Sequence, residues 1–138
     1  MTLTDAEQAY LGSQVHGRLA TLAPDGSPQV KPVGFRYNTE TGTLDIFGFA
    51  MAQSAKYRNV RKDGRVAFVV DDDPGLGPAG MRFLEIRGIA QAATGEAPWP
   101  GLPPEIIRIH PRRVLSINIE PDRPGLLTRD IASADQAP

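Results

Sequence analysis

The amino-acid sequence predicts a mainly β domain, a small antiparallel barrel carrying two or three short helices. Three observations lead there. Short apolar or alternating stretches recur along the chain, and turn signals rather than helical periodicity separate them. Thirteen prolines and fourteen glycines demand many turns and disfavour a helix bundle. At 138 residues the chain has the size of one domain, able to bury roughly two-thirds of its unfolded surface.

Thr4-Asp-Ala-Glu7 has the form of a capping box, in which hydroxyl and carboxylate each satisfy a backbone group at a helix start. Leu3, Ala6, Tyr10 and Leu11 follow at roughly helical spacing, so a helix is expected over residues 5–14. A strand over 18–23 ends at Pro24-Asp-Gly-Ser27, where Pro presets φ and Gly accepts φ > 0. The return strand, 29–38, puts Lys31, Val33, Phe35 and Tyr37 on one face and Val30, Pro32, Gly34 and Arg36 on the other. Pro32 cannot donate to a ladder. It marks an edge, a bulge, or a place where something other than a strand lies alongside.

After a loop over 38–42, a strand is expected over 43–49. Ser54 then caps a two-turn helix over 55–62 that closes near Asp63-Gly64. Residues 66–70 are apolar throughout, as in a strand buried on both faces. A long strand is expected over 81–93. Residues 106–109 and 114–119 form the last two strands, broken or bent at Pro111. The domain spans residues 1–125, and residues 126–138 form a polar, disordered tail.

Hydrophobic residues make up 41% and charged residues 22%, an ordinary soluble composition. The net charge of -1 and pI near 6.1 weigh against nucleic acid as a partner, although basic residues cluster at 56–65 and 108–113. The chain has no cysteine, which excludes disulfides, thiolate zinc sites and cysteine nucleophiles. No apolar run approaches the roughly 20 residues of a membrane span, and the N-terminus lacks a signal peptide's basic start and apolar core. A cytoplasmic protein that does not enter membranes is expected.

Gly75-Leu-Gly-Pro-Ala-Gly80 matches G-x-G-x-x-G by letter, but Pro78 interrupts it and an extended segment follows. A dinucleotide loop needs a helix there, so this is a connector. Asp71, Asp72 and Asp73 are a solvated strand end, and no metal site is expected. His16 and His110 belong to no metal spacing, and structural or surface roles are expected for both.

The chemistry concentrates in residues 53–65. Lys56, Arg58, Arg61, Lys62 and Arg65 face a single carboxylate, Asp63. The Ser54 hydroxyl, the Lys56 ammonium and the N–H groups of a helix start suit a phosphate group. Phe47, Gly48 and Phe49 offer flat apolar surface and unobstructed backbone. Val30, Lys31, Pro32 and Val33 supply the other wall. A planar ring on backbone with a phosphate at a helix start fits a flavin-like cofactor. A barrel this small has little room inside, so the site belongs on its outer wall or at a subunit interface. No residue stands out as a general acid or base; Tyr57 and Lys31 lie near the site, with structural roles expected for both.

Four pieces carry a family resemblance: Gly17-Arg-Leu-Ala-Thr-Leu-Ala-Pro-Asp-Gly-Ser-Pro-Gln-Val-Lys-Pro-Val-Gly-Phe35, Ser54-Ala-Lys-Tyr-Arg-Asn-Val60, Arg65-Val-Ala-Phe-Val-Val-Asp71 and Glu85-Ile-Arg-Gly88. Over residues 5–120 the chain resembles the pyridoxamine 5′-phosphate oxidase-like superfamily, and within it the probable coenzyme F420-dependent branch. The resemblance implies a split β-barrel of the FMN-binding type, a homodimer with two cofactor sites at its interface. It implies F420, or alternatively FMN, lying along Val30, Lys31, Pro32 and Val33 with its phosphate on Ser54 and Lys56. The flavin oxidases often carry Ser-Arg-Lys here; Ala55 replaces the middle cation, and Arg58 or Arg61 is the candidate to compensate. The Arg-bearing substrate motif that ends true pyridoxamine phosphate oxidases is missing, so vitamin B6 oxidation is not expected. The expected function is hydride transfer from reduced F420 to a small unsaturated or planar substrate. The alternatives are an FMN-binding oxidoreductase of the same superfamily and a non-catalytic F420, FMN or haem binder. Trp99 is expected to pack its own loop, or to reach a partner's site and cover the ring.

Overall fold

The computed structural model describes residues 3–77, 80–96, 98 and 100–132. Helix α1 (Asp5–Gly12) leads into β1 (Gly17–Leu22), β2 (Pro28–Asn38) and β3 (Thr43–Phe47). A 3-10 turn (Met51–Gln53) and helix α2 (Ala55–Lys62) follow. Strands β4 (Arg65–Asp72), β5 (Arg82–Thr94), β6 (Glu105–Ile117) and β7 (Leu126–Asp130) complete the order. All pairings are antiparallel, and the strands run β3-β2-β1-β4-β5-β6-β7. β3 also pairs with β6 through Leu44–Ile109 and Ile46–Ile107, which closes six strands into a barrel and leaves β7 outside.

Leu44, Ile46, Phe68, Leu84, Ile86, Ile107 and Ile109 fill the barrel and are inaccessible to solvent. In β4 only Val66, Phe68 and Val70 are buried, whereas Ala67 and Val69 are half-buried. The all-apolar run therefore does not mark burial on both faces; one face lines the barrel and the other looks outward.

The capping box on α1 forms as expected. Thr4 Oγ1 accepts from the Glu7 N–H, and Glu7 accepts from the Thr4 N–H. The helix stops at Gly12 rather than 14, where the Ser13 hydroxyl donates to the Tyr10 carbonyl. α1 sends Tyr10 and Leu11 into the core, and Leu3, just before its cap, joins them. The Tyr10 hydroxyl donates to Asp72 Oδ1 at 2.8 Å. Arg82 binds both oxygens of the same carboxylate and stands 5.1 Å above the Tyr10 ring. Burial, and then the hydrogen bond to Asp72, push the Tyr10 phenol far above its usual range.

Two expectations near the C-terminus are corrected. Residues 126–130 were expected in a tail, but they form β7, paired with residues 113–117 of β6. The strand pairs on one side only, and no residue in it is fully buried. Arg129 fastens it to the buried Glu7 of α1 through both carboxylate oxygens. Of the expected tail, residues 133–138 lie outside the described residues. The second concerns Pro111, expected to break or bend the last strands: it makes β6 irregular without dividing it. The strand runs through it, with a register shift opposite Arg87 and Gly88. β6 pairs with β3 up to Ile109 and with β7 from Arg113. Pro111 thus falls where the outer neighbour changes, and its missing N–H leaves no ladder bond unmade. Gly88 makes the crossing possible, because a Cβ there would lie 2.3 Å from the His110 carbonyl oxygen.

Pro32 is resolved as an edge residue. Residues 28–33 of β2 pair with β1, while pairing to β3 begins only at Gly34. Every position from 28 to 32 is exposed.

Candidate functional site

β2 emerges from the barrel wall at the point where β3 stops pairing with it. A cleft of about 670 Å³ opens there. Its floor is Pro32, Val33 and Gly34 of β2, and Phe35 continues it. Phe47, Gly48 and Phe49 form one wall. Gly34 has no room for a side chain: a Cβ would lie 2.9 Å from the Phe47 ring. Bare backbone is therefore presented beside an aromatic ring. Val15 and His16 close the rim from the α1–β1 connection, Leu102 reaches in from the β5–β6 connection, and Lys56 stands at the α2 end.

α2 is held in place by one buried amide. Asn59 Nδ2 donates to Thr21 Oγ1 at 3.0 Å and to Gln29 Oε1 at 2.9 Å. This ties the helix to β1 and to the open-edged part of β2. Ser54 caps the helix, its hydroxyl accepting from the Tyr57 N–H at 3.3 Å and donating to the Met51 carbonyl at 2.7 Å. The geometry of a helix start leaves the Ala55 and Lys56 N–H groups without intrahelical acceptors.

Lys56 is half-buried, and its ammonium has no carboxylate partner among the described residues. Burial, and then the charge of Lys31, hold its pKa below the usual lysine value. Arg58 donates to the Gln53 carbonyl at 2.7 Å. Of the basic run only Arg65 makes an ion pair among the described residues, with Asp63 at 2.7 Å. That contact holds the Asp63 carboxyl at about 2. The α2 region thus keeps most of its positive charge unneutralised beside an apolar cleft, a setting that favours an anion.

Pro32, Val33, Phe47, Gly48, Phe49 and Lys56 come together in the cleft. Val30, Lys31 and Ser54 do not line it. Val30 is exposed on the edge segment, Lys31 is close enough for Lys56 to feel its charge, and the Ser54 hydroxyl is turned to its own backbone. Val15, His16, Gly34, Phe35 and Leu102 also line the cleft and were not expected there from the sequence. Leu102 lies in a loop with no pattern to place it. Trp99 lies outside the described residues.

A second hollow, of about 480 Å³, lies at the β2–β3 hairpin and is polar. Its buried Asp45 is already satisfied by Thr43, Asn38 and both donors of Arg108. That arrangement closes the barrel between β3 and β6 rather than awaiting a ligand. No described helix is long and apolar enough to cross a membrane.

A family model described as pyridoxamine 5′-phosphate oxidase matches residues 3–121. A 5a,11a-dehydrotetracycline/5a,11a-dehydrooxytetracycline reductase from Streptomyces rimosus subsp. rimosus is 45% identical over 138 residues, covering 98% of this chain and 97% of that protein. Among solved structures, a conserved hypothetical protein from Mycobacterium tuberculosis superposes with a TM-score of 0.67 at 22% identity, over 96% of this chain and 94% of that one. A structure described as an F420 reductase superposes with a TM-score of 0.55 at 26% identity, over 72% of this chain and 88% of that one.

Proposed function

Given that the chain belongs to the pyridoxamine 5′-phosphate oxidase family, we propose that it is an F420-dependent reductase acting on a planar polycyclic carbonyl compound. The bond reduced is a carbon–carbon double bond conjugated to the carbonyl. The observation that carries this reading is the aromatic cleft around bare β2 backbone with an unneutralised Lys56 at one end. The residues present fit a phosphate-bearing planar cofactor. Pro32, Val33 and Gly34 receive a ring face, and Lys56 with the free N–H groups of α2 receives the phosphate. Lys31, Arg58, Arg61 and Lys62 favour the longer anionic tail of a deazaflavin over FMN.

When bound, the reduced deazaflavin supplies the hydride. The protein's part is to orient and to exclude water. Phe47 and Phe49 confine the planar substrate in the cleft, and apolar walls strengthen each charge interaction within it. The substrate class is supported by the tetracycline-derivative reductase at 45% identity.

The working unit is a homodimer. Val15 and Phe49, both 79% exposed, line a cleft that one barrel leaves half open, and Val30, 61% exposed, lies on the open edge of β2. A second copy of the chain covers them and completes the two sites. Sedimentation is expected to give a dimer; a monomer that binds cofactor tightly would contradict this.

Titrating the purified protein with F420 and separately with FMN, followed by fluorescence, tests the cofactor. Tighter F420 binding is expected, with F420-dependent loss of 5a,11a-dehydrotetracycline absorbance on turnover. Preference for FMN would refute the deazaflavin assignment, and binding of neither would refute the site.

A further inference from the structure

We propose that His16 is the proton donor that accompanies hydride transfer, an inference that rests on the reduction proposed above. Saturating a C=C bond conjugated to C=O adds a hydride and a proton. Hydride addition at the β-carbon breaks the π bond and moves its electron pair through the α-carbon onto the carbonyl oxygen. The oxygen, or the α-carbon after the charge returns, then takes the proton. The reductant is the deazaflavin, which leaves oxidised. The imidazole N–H bond breaks as the new O–H or C–H bond forms, and the neutral imidazole recovers its proton from water.

Two side chains lining the cleft can carry a proton to substrate, His16 and Lys56. Lys56 stands at the start of α2, where the anion is held, and is needed there as a cation. His16 lines the cleft beside Val15, where the chain enters β1 next to Val33 of β2. Among the described residues no carboxylate lines the cleft, and its charged lining residue besides His16 is Lys56 from α2, close enough to Lys31 of β2 to feel its charge. The imidazole of His16 makes no hydrogen bond with the described residues, and it is exposed. It is thus free to meet a substrate oxygen and to exchange with water. By contrast His110 shares a hydrogen bond with Gln91 on the outer face of β5 and β6 and lines no cleft.

The backbone holding His16 has little freedom. The connection is only residues 13–16, set between two anchored elements. α1 is fixed by its capping box and by the Tyr10–Asp72 hydrogen bond. At the other end, Gly17 lies against the Phe68 ring so closely that a Cβ would be 2.2 Å from it. Gly17 also pairs with Val33. Position 16 is therefore delivered to the rim by Gly17 on every molecule, and a general acid needs such placement before it needs a tuned pKa.

His16→Gln and His16→Phe test this, with kcat, the pH profile and F420 affinity measured for each. Both variants are expected to bind F420 as the wild type does and to lose about 10²- to 10⁴-fold in kcat. A donor acts only while protonated, so the wild-type kcat falls on the alkaline side through one ionisation, and that limb vanishes in both variants. A second measurement needs no turnover. The protein holds two histidines, and ¹⁵N-histidine spectra of cofactor-free protein, assigned with H16Q, are titrated with 5a,11a-dehydrotetracycline. The His16 ring signals are expected to move while those of His110 stay. A wild type that turns over while H16Q keeps its rate to within about threefold would overturn the role of His16 alone. Unmoved His16 signals at saturating probe would do the same. A wild type that binds the probe but reduces nothing with F420 would overturn the parent reading, and this role with it.

Discussion

Lys56→Ala separates a functional cation from a surface one. The change removes only the ammonium and its stem; alanine favours the helix, and the Ser54 cap does not involve the lysine side chain. In the proposed cofactor complex the ammonium would make a charge-assisted hydrogen bond, worth about 1.5–3 kcal/mol, or roughly 10- to 150-fold in affinity. Partial exposure and salt screening favour the lower half of that range. In the free protein the sign reverses. Lys56 is partly desolvated and lies near Lys31, and both hold its pKa below the usual value. Between the folded and unfolded pKa values the unfolded chain binds more protons, so stability rises with pH across that window, and the full penalty is present below it. Alanine removes the penalty. The free variant should melt at or above the wild-type temperature while binding F420 more weakly.

The same linkage makes binding pH-dependent. A bound phosphate favours the protonated lysine, so wild-type affinity should fall as pH rises through the lowered Lys56 pKa. The variant should show no such fall. Fluorescence titrations at several pH values and thermal melts of the free proteins measure both effects. Wild-type affinity for F420 and for FMN in K56A would refute the assignment. A parallel loss of affinity and of several degrees in Tm would also refute it, by making Lys56 a structural residue.

Arg129→Met leaves the buried Glu7 carboxylate without its bidentate partner. It should cost about 3–5 kcal/mol in urea unfolding, and a change under 1 kcal/mol would show that β7 does not anchor α1. Gly88→Ala places a methyl group 2.3 Å from the His110 carbonyl oxygen, which is backbone and cannot step aside; a loss of about 1–3 kcal/mol is expected, read by the same melt. Asn59→Leu breaks both hydrogen bonds that hold α2 and strands Thr21. It should cost about 1–3 kcal/mol and weaken cofactor binding, and unaltered binding would mean that α2 keeps its place by packing alone.

The local elements were legible because local chemistry decides them. The capping box at Thr4 and Glu7, the Pro24–Ser27 turn and the Ser54 cap each make their hydrogen bonds within a few residues. Phe47, Gly48, Phe49 and Lys56 were legible as neighbours because they stand close together in sequence, and they line one cleft. β7 was not legible. It is short and lies in a mostly polar stretch, and what holds it is backbone pairing to β6 and one ion pair to Glu7, more than a hundred residues earlier. Pro111 misled for a related reason. Whether a proline breaks a strand depends on whether that position needs to donate, and this depends on which neighbours lie beside it. His16 was invisible as a cleft residue because Gly17 packs against Phe68, a contact that no local pattern encodes.

The open edge of β2 joins these strands of argument. Residues 28–32 are exposed and paired only to β1, and a bare edge of this kind invites another strand to add. Pro28 and Pro32 remove donors along it and Lys31 adds charge, so strand addition is blocked. A chain selected for stability alone would cover such an edge or shorten it. Here it is kept, made unusable for pairing, and set directly beside an aromatic cleft. Lys56 follows the same logic, since its desolvation and its neighbour Lys31 cost stability in the free protein. An edge closed to strands and a cation without an anion among the described residues make sense together if both are completed by the same occupant, one with a flat face for Pro32 and Gly34 and a negative group for Lys56.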